Sequence, residues 1–219
     1  MIKACIFDLD GVIVDTAHYH FIAWRKLAND LGFDFGEEAN EALKGVGRME
    51  SLDIILGWGG VELSHEKKVE LATQKNEWYK SYIGDMNPDE ILEGVPAFLD
   101  QLQAKGIRMG IGSSSKNAPA VIRQLGIADR FEVIVDGTKL TRSKPDPQVF
   151  QLGAEAMGLS PDEIIVFEDA ASGIDAALAG GFSTVGIGEA ENLPKAQLVI
   201  PNFIGVTFEQ IVQQLPITA

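Results

Sequence analysis

Short apolar runs alternate along the chain with segments of helical periodicity. Val95, Phe98 and Leu102 have the i, i+3, i+7 spacing of a helix that buries one face, and Gly106 follows as a stop signal. The apolar runs, each three to six residues long, lie at 3–7, 107–112, 133–135, 164–167, 183–187 and 198–200. Strands that alternate with helices predict an α/β fold with a parallel sheet covered on both faces.

Residues 16–87 break this alternation. Phe21, Trp24 and Ala28 share one helical face, and no strand pattern of any length follows them. Further helical segments are predicted at 37–43, 49–56 and 65–83. Helices bunched between the first strand and the rest of the sheet predict an inserted all-α domain at 16–87. The α/β core domain is then formed by residues 1–15 and 88–219.

The composition limits the classes of partner. The chain has 219 residues, 46% of them hydrophobic, and a net charge of −14 from 18 basic and 32 acidic side chains. A packed soluble core is expected, while binding to nucleic acid or to an anionic membrane, which needs a basic surface, is not. An acidic chain can still bind an anionic substrate where a few cationic side chains and a metal ion converge.

The single cysteine and the short apolar runs indicate the cellular compartment of the protein. Cys5 can form no intramolecular disulfide and is expected to be a buried core residue. Asp8 interrupts the first apolar run before a signal peptide can form, and no segment approaches the roughly 20 apolar residues of a membrane helix. We therefore expect a cytoplasmic protein without a membrane partner.

Polar side chains follow the predicted strands where the strands end. In open α/β sheets, ligands bind beyond the carboxyl ends of the strands, near the point where the strand order reverses. These strand-end and loop residues are Asp8, Asp10, Ser113, Ser114, Ser115, Lys116, Asn117, Lys144, Glu168 and Asp169. Several carboxylates, lysines and hydroxyls are therefore predicted to converge on one edge of the sheet.

This set of side chains suits phosphoryl transfer. A carboxylate can accept a phosphoryl group covalently, and carboxylate or carbonyl oxygens can hold Mg²⁺. Lysine, hydroxyl and amide donors bind the transferring oxygens, while a second carboxylate can move the proton of a hydroxyl. Asp8-x-Asp10-Gly11 alone is also typical of turns and calcium loops. The magnesium-dependent chemistry is indicated by the segments together.

The same segments resemble those of the haloacid dehalogenase superfamily, in order and along the whole chain. They are Asp8-x-Asp10-Gly11, Ser113, Lys144-Pro145 and Glu168-Asp169 followed by Gly173. The resemblance implies a Rossmann-like parallel-sheet core with the inserted helices as a mobile cap. It implies Asp8 as nucleophile, Asp10 as acid and base, and Ser113, Ser114 and Lys144 as phosphoryl-binding residues. The implied Mg²⁺ ligands are Asp8, the Asp10 backbone carbonyl and Asp169, with Glu168 beside them.

Within this superfamily, four segments are similar to the β-phosphoglucomutase family. They are Asp15-Thr16-Ala17-x-Tyr19-His20-Phe21, Lys44-Gly45-Val46-x-Arg48, Lys75-Asn76 and Ser113-x-Ser115-Lys116-Asn117. The likeness implies that Arg48 clamps the phosphate that is not transferred and that Thr16 lies at the cap hinge. The substrate-binding residues it implies are His20, Lys44, Gly45, Val46, Ser51, Lys75, Ser115, Lys116 and Asn117. Gly47 departs from the family, where serine is usual.

The resemblance implies that the enzyme interconverts β-D-glucose 1-phosphate and D-glucose 6-phosphate. The route would pass through an aspartyl phosphate and β-glucose 1,6-bisphosphate, on a monomer whose partners are small sugar phosphates. A sugar-phosphate phosphatase shares every core motif and stays open, although Arg48 and the run Ser115–Asn117 favour the mutase. A phospho-accepting receiver domain is a second alternative, but receivers are shorter and lack the insertion. His20, on one helix with Trp24 and Leu27, could also be a packed structural histidine.

Overall fold

A parallel sheet forms the centre of the structure. The computed structural model describes residues 1–43 and 46–216, and within them the sheet has six strands in the order β3-β2-β1-β4-β5-β6. The strands are β1 (Ala4–Phe7), β2 (Arg108–Gly112), β3 (Val133–Val135), β4 (Ile164–Glu168), β5 (Ser183–Ile187) and β6 (Leu198–Ile200), all paired in parallel. The strand order reverses at β1, so the switch point lies between β1 and β4. All six predicted strands are confirmed.

The central strand β1 shows why these runs are continuously apolar. Cys5 and Phe7 belong to the apolar cluster on one face of the sheet, while Ala4 and Ile6 belong to the cluster on the other. Successive side chains of a strand point to opposite faces, so a strand covered by helices on both faces has no polar position. Cys5 is fully buried as expected, and burial raises the pKa of its thiol.

Helices cover both faces of the sheet and fill the long segment after β1. They are α1 (Ala17–Asp30), α2 (Glu37–Asn40), α3 (Arg48–Gly59), α4 (His65–Ile83), α5 (Val95–Ala104), α6 (Ala118–Gln124), α7 (Gln148–Met157), α8 (Ala171–Ala179) and α9 (Phe208–Gln214). Sequence periodicity did not identify α6 and α9, each of which has seven residues. In the described part of the chain, no helix is both long and apolar enough to cross a membrane.

The helical insertion, α1 to α4, has an apolar cluster of its own. Trp24 from α1, Leu52 and Ile55 from α3 and Leu71 from α4 are buried together in it, away from the two clusters on the sheet. An element that buries its apolar face against its own neighbours does not need the sheet for that face. The predicted domain boundaries, after residues 15 and 87, stay a prediction. Lys44 and Gly45, both predicted to bind substrate, lie outside the described residues.

We expect Leu52→Ala to lower the free energy of unfolding by about 2–5 kcal/mol, because it leaves a cavity in this cluster. Leu52 is fully buried, whereas Ile22 on α1 of the same insertion is 36% exposed. Ile22→Ala should therefore cost about 1 kcal/mol or less. Urea unfolding of the two variants measures the difference. Equal losses would show that the insertion is not stabilised by this cluster.

Candidate active site

A cavity of about 580 Å³ lies between the carboxyl edge of the sheet and the helical insertion. The predicted residues on its wall are Asp8, Asp10, His20, Val46, Arg48, Ser51, Lys75, Ser113, Ser114, Ser115, Lys116, Asn117 and Asp169. Thr16 and Lys144 are buried, and so is Glu168, but none of the three is on the wall. The structure thus brings the sequence-predicted residues that it describes to one place, some on the surface of the cavity and some beneath it.

Beneath the cavity, Lys144 is buried between two carboxylates. Its Nζ donates a hydrogen bond to Asp8 Oδ1 at 2.8 Å and another to Glu168 Oε1. Burial opposes the charged ammonium, but Asp8 and Glu168 outweigh it and raise the pKa of Lys144. A lysine at this position is therefore a permanent cation under the nucleophile candidate, and not the exposed residue that lysines usually are.

Glu168 ends β4 and is held on both of its carboxylate oxygens. Oε1 accepts from Lys144, and Oε2 accepts from the Ala170 backbone N–H at 3.1 Å. Gly173 leaves the room for this side chain, since a Cβ there would overlap the Glu168 carboxylate. Burial, together with the neighbouring Asp8 and Asp169 and against the charge of Lys144, raises the pKa of Glu168. Glu168 is thus placed to orient Lys144 at least as much as to ligate a metal.

Three carboxylates at this edge fit a divalent cation. One oxygen each from Asp8, Glu168 and Asp169 can be chosen so that all lie within 4.8 Å of one another. Hard oxygen ligands of this kind suit Mg²⁺, which commonly takes only one or two carboxylates and fills the rest of its shell with water and phosphate. Lys144 alone does not balance three carboxylates, so the donor set fits the predicted ion.

Gly11 allows the first loop to approach Asp169 closely. Its φ is +79°, and a Cβ on it would overlap the Asp169 carboxylate. A glycine is therefore favoured at position 11 for two reasons. It adopts the left-handed backbone conformation readily, and it leaves space for the Asp169 carboxylate.

Asp10 faces the cavity in a state suited to proton transfer. Its Oδ1 is buried and, among the residues that the structure describes, has no hydrogen-bond partner. Burial, with Asp8 and Asp169 nearby, raises the pKa of Asp10 well above its ordinary value. A buried carboxyl group without a hydrogen-bond partner can exchange a proton with a substrate oxygen, taking it when ionised and returning it when protonated.

Two serine hydroxyls in the loop after β2 accept hydrogen bonds from the backbone of the same loop. Ser113 Oγ accepts from the Ser115 backbone N–H at 3.1 Å, and Ser115 Oγ accepts from that of Asn117 at 3.2 Å. Such turns fix the backbone of a short loop. Ser114 also lines the cavity, and its Oγ is buried without a hydrogen-bond partner in the described chain.

On the side of the insertion, the buried Lys75 contacts the half-buried His20. Lys75 Nζ lies 2.6 Å from His20 Nδ1 and 4.3 Å from the centre of the Trp24 ring, and His20 stacks on Tyr79 at 4.0 Å. Burial, then the charges of Lys75 and Arg48, lower the pKa of His20, and burial, then the charge of Arg48, lower the pKa of Lys75. His20 thus packs inside the insertion and also reaches the cavity. Tyr79 was not predicted, because only the packing of α1 on α4 brings it under His20.

Arg48 begins α3 and points its charge toward the cavity from the insertion. It is half-buried and, within residues 1–43 and 46–216, has no ion-pair partner. Burial lowers its pKa, although a guanidinium stays protonated at neutral pH. The preceding Gly47 touches the core, since a Cβ on it would lie 2.5 Å from Ser143 Oγ. The departure from serine at Gly47 thus permits a close approach of the two sides of the cavity.

Several residues of the wall were not predicted, Thr141 and Arg142 among them. They precede Lys144 in an irregular loop and belong to no recurrent motif, so the sequence carries no signal for them. Arg142 is exposed and pairs with Asp146 at 3.0 Å.

Known proteins resemble the chain over most of its length. Residues 2–181 match the haloacid dehalogenase-like hydrolase family. The chain is 42% identical over 209 residues to the β-phosphoglucomutase of Bacillus subtilis, covering 94% of this chain and 92% of that one. It is 30% identical over 199 residues to the phosphorylated carbohydrates phosphatase of Thermotoga maritima, covering 90% of each. The crystal structure of β-phosphoglucomutase from Clostridium difficile superposes with a TM-score of 0.94 at 44% identity, covering 98% of this chain and 97% of that one.

The chain therefore belongs to the haloacid dehalogenase-like family, in the group that contains the β-phosphoglucomutases. Both resemblances inferred from the motifs are confirmed. The receiver-domain alternative is wrong, because the six-stranded sheet with the helical insertion after its central first strand matches this family over nearly the whole chain.

We expect Gly11→Ala to weaken Mg²⁺ binding by about 10-fold or more, because the Asp169 carboxylate must move away from the new methyl group. Gly106→Ala is the matched control, since Gly106 also has a positive φ (+68°) but has nothing within 4 Å of a Cβ. Calorimetric titration with Mg²⁺ measures both dissociation constants. A weakening shared by the two variants would indicate general backbone strain instead of a displaced ligand.

Proposed function

We propose that this enzyme is a magnesium-dependent mutase that interconverts β-D-glucose 1-phosphate and D-glucose 6-phosphate. The observation that carries the proposal is a cationic side chain on each side of the cavity, one buried beneath its core wall and the other on its insertion wall. Lys144 lies beneath Asp8 on the core side, and Arg48 lies without an ion-pair partner of the described chain on the insertion side. A phosphatase needs to bind one phosphate, whereas a mutase must hold one while it transfers the other.

The comparisons support the mutase over the phosphatase. The two β-phosphoglucomutases are 42% and 44% identical to this chain, and the carbohydrate phosphatase is 30% identical. Because the phosphatase aligns with 90% of the chain, membership of the family alone does not separate the two activities.

In the proposed reaction, Asp8 carries the phosphoryl group. The sugar hydroxyl attacks the phosphorus of phospho-Asp8 while Asp10 takes the hydroxyl proton, and the bond between phosphorus and the Asp8 oxygen breaks. The product is β-glucose 1,6-bisphosphate. When the bisphosphate turns around, Asp8 attacks its other phosphoryl group and Asp10 returns the proton to the leaving oxygen. Lys144, Ser113 and Ser114 are proposed to bind the oxygens of the group in transfer.

Mg²⁺ would be held by Asp8, the backbone carbonyl of Asp10 and Asp169, with Glu168 beside them. When bound, the ion supplies charge that neutralises the clustered carboxylates and the transferring oxygens.

The helical insertion is proposed to act as a cap that hinges at Thr16 and closes on the core. Closure would exclude water from phospho-Asp8, which a mutase requires and a phosphatase does not. The residues proposed to bind the sugar and its distal phosphate are His20, Lys44, Gly45, Val46, Arg48, Ser51, Lys75, Ser115, Lys116 and Asn117. We further propose that the enzyme is a cytoplasmic monomer.

A coupled assay tests the function. With β-glucose 1-phosphate, Mg²⁺ and a trace of β-glucose 1,6-bisphosphate, we expect glucose 6-phosphate to form much faster than free phosphate. Asp8→Asn should reduce the rate by roughly a thousandfold or more, because an amide is a far weaker nucleophile than a carboxylate. Stoichiometric phosphate release without glucose 6-phosphate would establish the phosphatase instead.

Arg48→Ala should reduce mutase turnover by about 10- to 100-fold, the loss expected when one hydrogen bond between charged groups is removed. Hydrolysis of a small phosphoester, which has no second phosphate, should change much less. Arg123→Ala on α6, an exposed arginine outside the cavity, should leave both rates unchanged. Equal losses of the two activities in Arg48→Ala would place Arg48 outside the distal phosphate site.

A further inference from the structure

A buried hydrogen bond joins the helical insertion to the core beside the cavity. Asn117 Nδ2 donates to Asn76 Oδ1 at 2.8 Å, and the two side chains are 8% and 7% exposed. Asn76 lies on α4, next to Lys75, and Asn117 ends the loop after β2. The bond therefore spans the two sides that enclose the ligand.

The other side-chain hydrogen bonds between insertion and core, in the described residues, lie near the two chain connections. Tyr19 Oη donates to Glu90 Oε2 at 2.9 Å, and Gln124 Nε2 donates to the carbonyls of Gly84 and Met86. Bonds close to a hinge can persist when a domain rotates about it, because distances near the axis change little. The bond of Asn76 lies on the cavity side, so opening of the proposed cap would break it.

Asn117 is anchored to the core by its backbone. Its N–H donates to Ser115 Oγ, and its carbonyl accepts from Val121 at the start of α6. Its side chain lines the cavity, whereas that of Asn76 does not. Asn76 can therefore influence a ligand only through the Asn117 amide or through the position of α4.

We infer that Asn76 is a positioning residue that fixes the Asn117 amide and holds the helical insertion closed, and that it thereby determines whether phospho-Asp8 reacts with the sugar or with water. The inference rests on the proposed function. Without the Asn76 oxygen, the Asn117 donor is left buried and unpaired, and water can satisfy it only by entering the closed site.

The two competing reactions differ in the attacking oxygen. In transfer, a sugar hydroxyl forms the new bond to phosphorus and its proton passes to Asp10. In hydrolysis, a water oxygen forms that bond, a water proton passes to Asp10, and inorganic phosphate leaves. The bond from phosphorus to Asp8 breaks in both reactions. Both reactions use the same core residues, so a general loss of structure lowers both, while an opened insertion raises the share of hydrolysis.

The test measures the ratio of free phosphate to glucose 6-phosphate, formed from β-glucose 1-phosphate primed with bisphosphate. In Asn76→Ala the ratio should rise about fivefold or more, as expected from an unpaired buried amide. Asn76→Leu also lacks the acceptor but retains the side-chain volume, and it should raise the ratio likewise. Asn76→Asp retains an acceptor oxygen in the same place, so it should keep the ratio near that of the wild type.

Gln74→Ala provides the matched control, because Gln74 is an exposed amide on the same helix and is outside the cavity. Its ratio should equal that of the wild type. Thermal unfolding identifies any variant that fails to fold. If only one of Asn76→Ala and Asn76→Leu folds, that variant alone tests the inference.

An unchanged ratio in Asn76→Ala and Asn76→Leu would overturn the inference, as would an equal rise in Asn76→Asp. A wild-type enzyme that forms no glucose 6-phosphate would instead refute the proposed function. Normal wild-type isomerisation with unaltered ratios in the variants would refute this inference alone.

Discussion

The buried ammonium of Lys144 is the contact on which the site depends. It joins three segments that are far apart in sequence, namely the end of β1 at Asp8, the end of β4 at Glu168 and the loop before α7. Because β1 and β4 are neighbours in the sheet, the two carboxylates are forced together and repel each other. A buried charge without its partner is costly, so the lysine, and with it the loop, has to occupy this position.

Most of the sheet could be predicted because a strand covered on both faces is apolar at every position. Its six apolar runs could be recognised without knowing which strands pair. Because ligands bind beyond the carboxyl ends of parallel strands, Asp8, Ser113 and Asp169 could then be placed at one edge of the sheet. The insertion was predicted equally well, since α1 and α4 are long enough to show their periodicity. The seven-residue helices α6 and α9 were not predicted.

The contacts between elements could not be predicted. Lys144 was expected at the site, but its burial between Asp8 and Glu168 follows from the approach of a loop to two strand ends. Tyr79 and Asn76 depend on how α4 packs against α1 and against the loop after β2. Local sequence encodes the period of a helix, but not which residue of a neighbouring element its buried face meets.

The separate apolar cluster of the helical insertion has a consequence for how this family diversifies. Side chains such as Leu52 and Ile55 pack among helices of the insertion and not on the sheet. Substitutions that reshape the roof of the cavity can therefore accumulate with little effect on the stability of the strands that carry Asp8 and Asp169. Mutation can thus alter the choice of substrate separately from the phosphoryl-transfer chemistry, and relatives with one core can differ in the phosphate ester that they accept.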